Sequence, residues 1–298
     1  MKNSSRTLRV SVVVPGFFVL LSACGGGNHS RSSEPQASPS DVPARARITH
    51  TFRLPIEEYS VSPTDYTFIQ NAKIALVNKC LKDLGSDYSL PSMGDPVIQA
   101  SRRYGIMDYE TASKYGYHMP PEEPRADGDA NSLSADEQRL IFGELVKGEP
   151  RGRVPSGGCY GEAESVINGS NVPDSAISFA SQVNGKSFED SLKDPRLVKI
   201  NKKWARCMAR EGYEYETPMQ AVSDSKFQKG DPGEEERRVA MADVNCKDAT
   251  SLIEIWSEIE SERQVGMIQE NVDLLNRLKA FQNLQKRNAL KVITTPGG

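Results

Sequence analysis

The chain has 298 residues with 37 Lys and Arg against 40 Asp and Glu, a net charge of −3 at pH 7. A mildly acidic protein offers nucleic acid no electrostatic footprint, so no nucleic-acid partner is expected. Three histidines and five cysteines bound the metal and redox chemistry available to it.

The first residues read as an address. Lys2, Arg6 and Arg9 precede an apolar run, Val10 to Leu21, that is too short for a membrane span of ~20 residues and fits a secretory signal. Leu21-Ser22-Ala23-Cys24 then closes that run. It resembles the lipobox of bacterial lipoproteins, which implies cleavage before Cys24 and diacylglycerol on its thiol. Residues 1–23 are therefore expected to be a lipoprotein signal peptide. Without them, 34 basic and 40 acidic residues remain, a net charge of −6. Acylated Cys24 would hold the protein to the outer face of the bacterial cytoplasmic membrane. Residues 24–47 are rich in Gly, Ser and Pro and read as a flexible tether. Residues 48–298 remain for an extracytoplasmic domain.

Ile48 to Leu54 alternates well enough for a short edge strand before Pro55. After Pro63, the residues Ile69, Ala72, Leu76 and Cys80 recur at helical spacing, and Gly85 supplies a left-handed stop. Asp108 caps a short helix that ends before Gly116. Ser134 and Glu137 form a capping box for a helix expected to reach about Lys147. Short helices follow Cys159 and Asp174, the second expected to break near Gly185. Asp194-Pro195 opens a strongly amphipathic helix carrying Leu197, Ile200, Trp204, Cys207 and Met208, stopped at Gly212 and followed by an extended run closed by Pro218. From 233 to 292 no proline intervenes and apolar residues recur throughout. An unbroken helix there would span about 90 Å at ~1.5 Å per residue, with Gly266 the one candidate break. Its acidic middle (Glu254, Glu258, Glu260, Glu262) and its basic tail read as a solvated face or as a partner-binding helix.

A repeat organises the chain. Cys80, Gly85, Tyr88 and Pro91 have the same spacing as Cys207, Gly212, Tyr215 and Pro218. Each set is followed by a later cysteine beside an acid-Ala-x-Ser run, Cys159 before Glu162 and Cys246 before Asp248. Two related halves follow, about 64–170 and 194–293. Four cysteines in an exported chain favour disulfides, with three pairings open. Equivalent halves favour Cys80–Cys159 and Cys207–Cys246. No Cys-x₂₋₄-Cys pair exists, so no zinc site or other metal is expected.

Catalytic constellations are missing from the pattern. His29, His50 and His118 have no second histidine at metal-ligand spacing, and the chain has no Gly-x-Ser-x-Gly elbow and no phosphate-cradling glycine loop in its domain. No catalytic residue and no cofactor are expected. The densest polar-aromatic stretch, with Arg102, Arg103, Tyr104, Tyr115, Tyr117 and His118, reads as an interaction patch or as a loop packed on the first repeat.

The lipobox, the Trp204, Cys207, Met208, Gly212, Tyr213 run and Ala242-Asp243-Val244-x-Cys246-Lys247 together resemble a group of actinobacterial surface lipoproteins of unknown function. That resemblance extends to the Arg102-Arg103-Tyr104-Gly105 and Tyr115-Gly116-Tyr117-His118 segments and to Gln269-Glu270-Asn271. It implies location and cysteine arrangement, and no activity. The expected fold is mainly α, a disulfide-stapled helical domain with short extended segments and one very long C-terminal helix. The expected function is a lipid-anchored cell-envelope binding or interaction module, with another envelope protein on the long helix. The alternative is an envelope hydrolase acting on peptidoglycan or polysaccharide through paired carboxylates.

Overall fold

The computed structural model describes residues 51–96, 101–121, 133–143 and 154–295, all within one compact unit, Pro43–Gly298. The segments expected to be a signal peptide (1–23) and a tether (24–47), Cys24 included, lie outside the described residues. So do 48–50 of the expected strand, and Thr51–Leu54 form no strand. The mainly helical expectation holds, and no strand occurs among the described residues.

Ten α-helices occur among the described residues: α1 (Pro63–Asp83), α2 (Tyr109–Tyr115), α3 (Ala135–Phe142), α4 (Gly158–Asn168), α5 (Asp174–Ser191), α6 (Pro195–Arg210), α7 (Pro218–Val222), α8 (Glu234–Thr250), α9 (Leu252–Glu270) and α10 (Val272–Thr294). Starts follow their caps. Ser62, Asp108, Ser134, Asp194 and Thr217 each accept a backbone N–H of the first turn, satisfying a donor that has no partner within the helix. Several ends differ from expectation. Gly143, at φ +75°, stops α3 at Phe142. Gly185 is passed without a break inside α5, because it is exposed and nothing crowds it. Pro218 opens α7 as its first residue instead of closing an extended run.

The repeat is visible in backbone detail. After α1, Gly85 takes φ +80°, the Gly85 N–H donates to Lys82 O, and Ser86 N–H donates to Leu81 O at 2.9 Å. After α6, Gly212 takes φ +90°, its N–H donates to Ala209 O, and Tyr213 N–H donates to Met208 O at 2.9 Å. These are the same left-handed helix end, which glycine adopts without the steric penalty a Cβ brings. Disulfides join Cys80 to Cys159 and Cys207 to Cys246, with Cα atoms 5.6 Å apart in both. Each bridge lies in a separate core. Cys159 is buried with Val77, Leu81, Ile141 and Ala163, whereas Cys207 and Cys246 belong to the larger core with Trp204, Met208, Val244 and Trp256.

The C-terminal helical stretch is present from 234 to 294, as three helices and not as one rod. It continues through Gly266 and turns instead at Ser251 and Asn271. Ser251 adopts φ 54° and ψ 37°, the only non-glycine at positive φ among the described residues. That conformation costs roughly 1–2 kcal/mol for a residue with a Cβ, and the burial of Leu252 and Ile253 just beyond it offsets the cost. The turn lets α6 pack on two partners. Its Trp204 and Cys207 meet α8, while Asp194 and Arg196 at its start meet Arg263 and Glu262 of α9. Beyond Asn271, α10 runs against α5, α1 and α4, so the three helices join both stapled cores.

Chain entropy assigns the two bridges about 4 kcal/mol each for closing loops of 79 and 39 residues. Non-reducing peptide mapping should recover Cys80–Cys159 and Cys207–Cys246 crosslinks. Removing Cys207 and Cys246 together should lower unfolding stability by roughly 2–4 kcal/mol in a urea titration.

Candidate functional site

The Arg102–His118 segment does not form a surface patch. Three acids of α8 and α9 reach into the core and hold it from below. Glu260 was expected on a solvated face, yet all three are buried: Glu236 is 3% exposed, Asp243 and Glu260 are 0% exposed.

Glu260 anchors the first part. It accepts from Arg103 Nε at 2.9 Å and from the Arg103 Nη2 amine, from Tyr104 OH at 2.8 Å, and from Ser187 Oγ at 2.8 Å. Ser187 in turn accepts from Gln264 Nε2, and Gln264 Oε1 accepts from the Ile56 N–H. A fully buried carboxylate is tolerated only when its lone pairs are filled, and here they are. Tyr104 is itself stacked between Phe52 and Trp256, with ring centroids 4.7 and 4.6 Å away. Burial, together with the neighbouring Glu260 charge, pushes the Tyr104 phenol far above its ordinary pKa, so it stays protonated and donates to Glu260.

Asp243 anchors the middle. It faces Lys247 one turn on at 3.0 Å, accepts from Trp204 Nε1 at 3.0 Å and meets Tyr117 OH at 3.4 Å. Lys247 Nζ also donates to Ile106 O at 2.7 Å. Burial pushes the Asp243 carboxyl up and the Lys247 ammonium down, and each opposes the other's shift. Gly105 is required beside them: at φ +81°, a Cβ there would lie 3.1 Å from Lys247 Nζ and 3.0 Å from Val222.

Glu236 anchors the end. Its Oε1 accepts from the Tyr117 N–H at 2.8 Å and lies 2.8 Å from His118 Nδ1. Gly116 permits the approach, since a Cβ there would sit 2.5 Å from Glu236 Oε1 on a backbone at φ +56°. Arg102 closes the loop on itself by donating to the Tyr117 and His118 carbonyls at 3.3 and 3.0 Å. Tyr115 stands half-buried at the end of α2, apart from this network. The patch reading of Arg102, Arg103, Tyr104, Tyr115, Tyr117 and His118 is therefore corrected. Arg103, Tyr104, Tyr117 and His118 are directed inward to Glu260, Asp243 and Glu236, and Arg102 is bound to the Tyr117 and His118 carbonyls.

Glu236, Asp243, Lys247 and Glu260 were not singled out from the sequence as site residues. A signal existed for Glu260, which lies eight residues from Leu252 and four from Trp256, on the apolar stripe of α9. Asp243 and Lys247 likewise share the face of α8 that carries Val239 and Cys246.

Two clefts accompany this framework. One of about 350 Å³ is lined by Phe52, Leu54, Ile56, Ser101, Arg103 and Asn184. Its guanidinium is already committed to Glu260 and to the Asn184 carbonyl. The other, about 160 Å³, lies between residues 58–65 and α10, with Lys279 paired to Glu58 and Lys286 to Asp65. Serines and carboxylates line both, but among the described residues no lining serine hydroxyl is hydrogen-bonded to a carboxylate, and no group of three His, Cys, Asp or Glu side chains is placed to hold a metal. No family model, no curated protein and no solved structure matches the chain.

Asp243→Ala should cost about 3–5 kcal/mol of stability, because it leaves Lys247 charged and buried. The double change Asp243→Leu with Lys247→Met should cost less than the single one, as read by urea unfolding of the two variants side by side.

Proposed function

We propose that this chain is a lipid-anchored extracytoplasmic protein, of the kind the actinobacterial surface lipoproteins represent, serving as a binding or interaction module of the cell envelope. The observation that carries the reading is the combination of two structural disulfides with a charged, apolar, lipobox-ended N-terminus. Disulfides that staple a core need an oxidising compartment, and Leu21-Ser22-Ala23-Cys24 supplies the route to one.

The carboxylate-hydrolase alternative is weaker. A glycosidase needs one acid free to protonate a leaving group and a second facing it across a substrate-sized gap. Glu236, Asp243 and Glu260 are buried instead, and each is bound to cations or N–H and O–H donors of the protein. Arg103 and Tyr104 serve those acids and not a ligand. A fold that directs its strongest charges inward keeps a rigid body and leaves recognition to its outer helix faces.

Metabolic labelling with palmitate should mark the wild-type protein and fail on Cys24→Ala, which a high-salt wash should release from the membrane fraction while the wild type stays bound. A protein recovered unlabelled from the cytoplasm, with its four remaining cysteines reduced, would contradict the proposal. The purified chain should release no soluble fragments from isolated envelope polysaccharide.

A further inference from the structure

We propose that the C-terminal half of α10 is a docking surface for an anionic phospholipid bilayer. The inference deepens the lipoprotein reading and rests on it for location, since an acylated Cys24 would keep the domain within one tether length of such a surface.

The charge distribution is lopsided. After Asp273 the chain contains no further acid, while Arg277, Lys279, Lys286, Arg287 and Lys291 follow on α10. Lys279 and Lys286 are used internally, paired with Glu58 and Asp65. Arg277, Arg287 and Lys291 are exposed and make no ion pair among the described residues. On the helices packed against α10, Asp65 of α1 holds Lys286, Glu164 of α4 holds Lys73 at 3.0 Å and Asp190 of α5 holds Lys186. Asp83, Glu162, Asp174 and Glu189 are exposed without an ion pair among the described residues. Asp273 stands one turn before Arg277, so the net positive face is that of Arg287 and Lys291 near the end of α10. Beyond Asp273, α10 carries cations only, a property it shares with the outer face of α6, where Lys199, Lys202, Lys203, Arg206 and Arg210 are exposed.

The same face is apolar as well as basic. Leu290 is 54% exposed, the most exposed large hydrophobic among the described residues, and Ile293 is 50% exposed. Spacings of three and four residues put Arg287, Leu290, Lys291 and Ile293 side by side along one face. The opposite face is fixed: Ala289 is fully buried with Ile69, Ala72 and Ile167, and Asn288 Nδ2 donates to the Ile167 carbonyl at 3.1 Å. Leu290 and Ile293 cannot turn inward while that packing holds. Val166, beside Asn288 on α4, adds a third exposed apolar side chain at this end.

Cations flanking exposed Leu and Ile on a helix whose other face is buried match a headgroup surface: the cations meet lipid phosphates and the apolar tips enter the acyl boundary. A protein interface also buries aliphatic side chains beside its charges. The choice of occupant therefore rests on the anchor: an acylated Cys24 would hold this face beside a bilayer whose headgroups and acyl boundary use both the cations and the apolar tips.

Vesicle flotation tests this on the chain from residue 24 onward with Cys24→Ser, so that no acyl chain contributes. The protein should float with vesicles of equimolar phosphatidylglycerol and phosphatidylcholine at low salt, and stay behind with phosphatidylcholine alone. Binding should weaken roughly fivefold for each cation removed from the pair Arg287 and Lys291, and should vanish at high salt. Leu290→Ser with Ile293→Ser should weaken it at unchanged charge. Unchanged thermal melting of these surface variants shows that the fold is kept. No flotation with anionic vesicles, equal flotation with neutral ones, or undiminished binding of Arg287→Glu with Lys291→Glu would overturn the proposal. Binding of the unacylated chain to an acidic envelope protein but not to vesicles would overturn it in the same way. Palmitate labelling reads the anchor separately, so either claim can fail alone.

Discussion

Asp243 and Lys247 face each other without access to water, and the larger core is assembled around that pair. Placing two charges in an apolar interior costs several kcal/mol per ion, and their attraction offsets it only if every remaining hydrogen-bonding position is filled. Trp204, Tyr117 and the Ile106 carbonyl fill them. Trp204 comes from α6 and the other two from the 101–118 segment, so the pair fixes where both lie relative to α8. The Cys207–Cys246 bridge fixes the same α6–α8 contact covalently, one turn further along both helices. Glu236 and Glu260 extend the arrangement in both directions along the C-terminal helices.

A division of labour follows. The C-terminal stretch supplies the acids, and the segment from Arg102 to His118 supplies the donors. The turns on either side of α2 are thereby tied to the core. The same stretch, by turning at Ser251 and Asn271, packs α8 and α9 on α6 and carries α10 to the Cys80–Cys159 core. Each stapled half retains its own apolar cluster, and the helices between them make one body of the two.

Helix positions were largely legible because capping residues and glycine stops act locally. Ser62, Ser134, Asp194, Gly85 and Gly212 do what their chemistry predicts. The turns at Ser251 and Asn271 were not legible, since neither residue is a strong breaker and the cause is tertiary: the apolar faces on either side have different partners. Gly266 points the same way. Its low helix propensity costs about 1 kcal/mol, too little to end a helix whose neighbours Ile259, Glu260 and Gln264 are buried. The acids were misread for a related reason. Charge density along α9 resembles a solvated face, and only the position of Glu260 on the stripe of Leu252 and Trp256 marks it as internal. The aromatic-basic segment looked like a binding patch because residue type does not reveal direction.

The account depends on the claim that buried acids of α8 and α9 hold the 101–118 segment in place. Hydrogen exchange measured on wild type and on Glu260→Gln tests it most directly. Replacing the carboxylate by a neutral amide removes the charge that Arg103, Tyr104 and Ser187 share while keeping its size. Amides from 101 to 118 should exchange faster in the variant, with α1 and α4 around the Cys80–Cys159 bridge unchanged. Equal protection of that segment in both proteins would contradict the account.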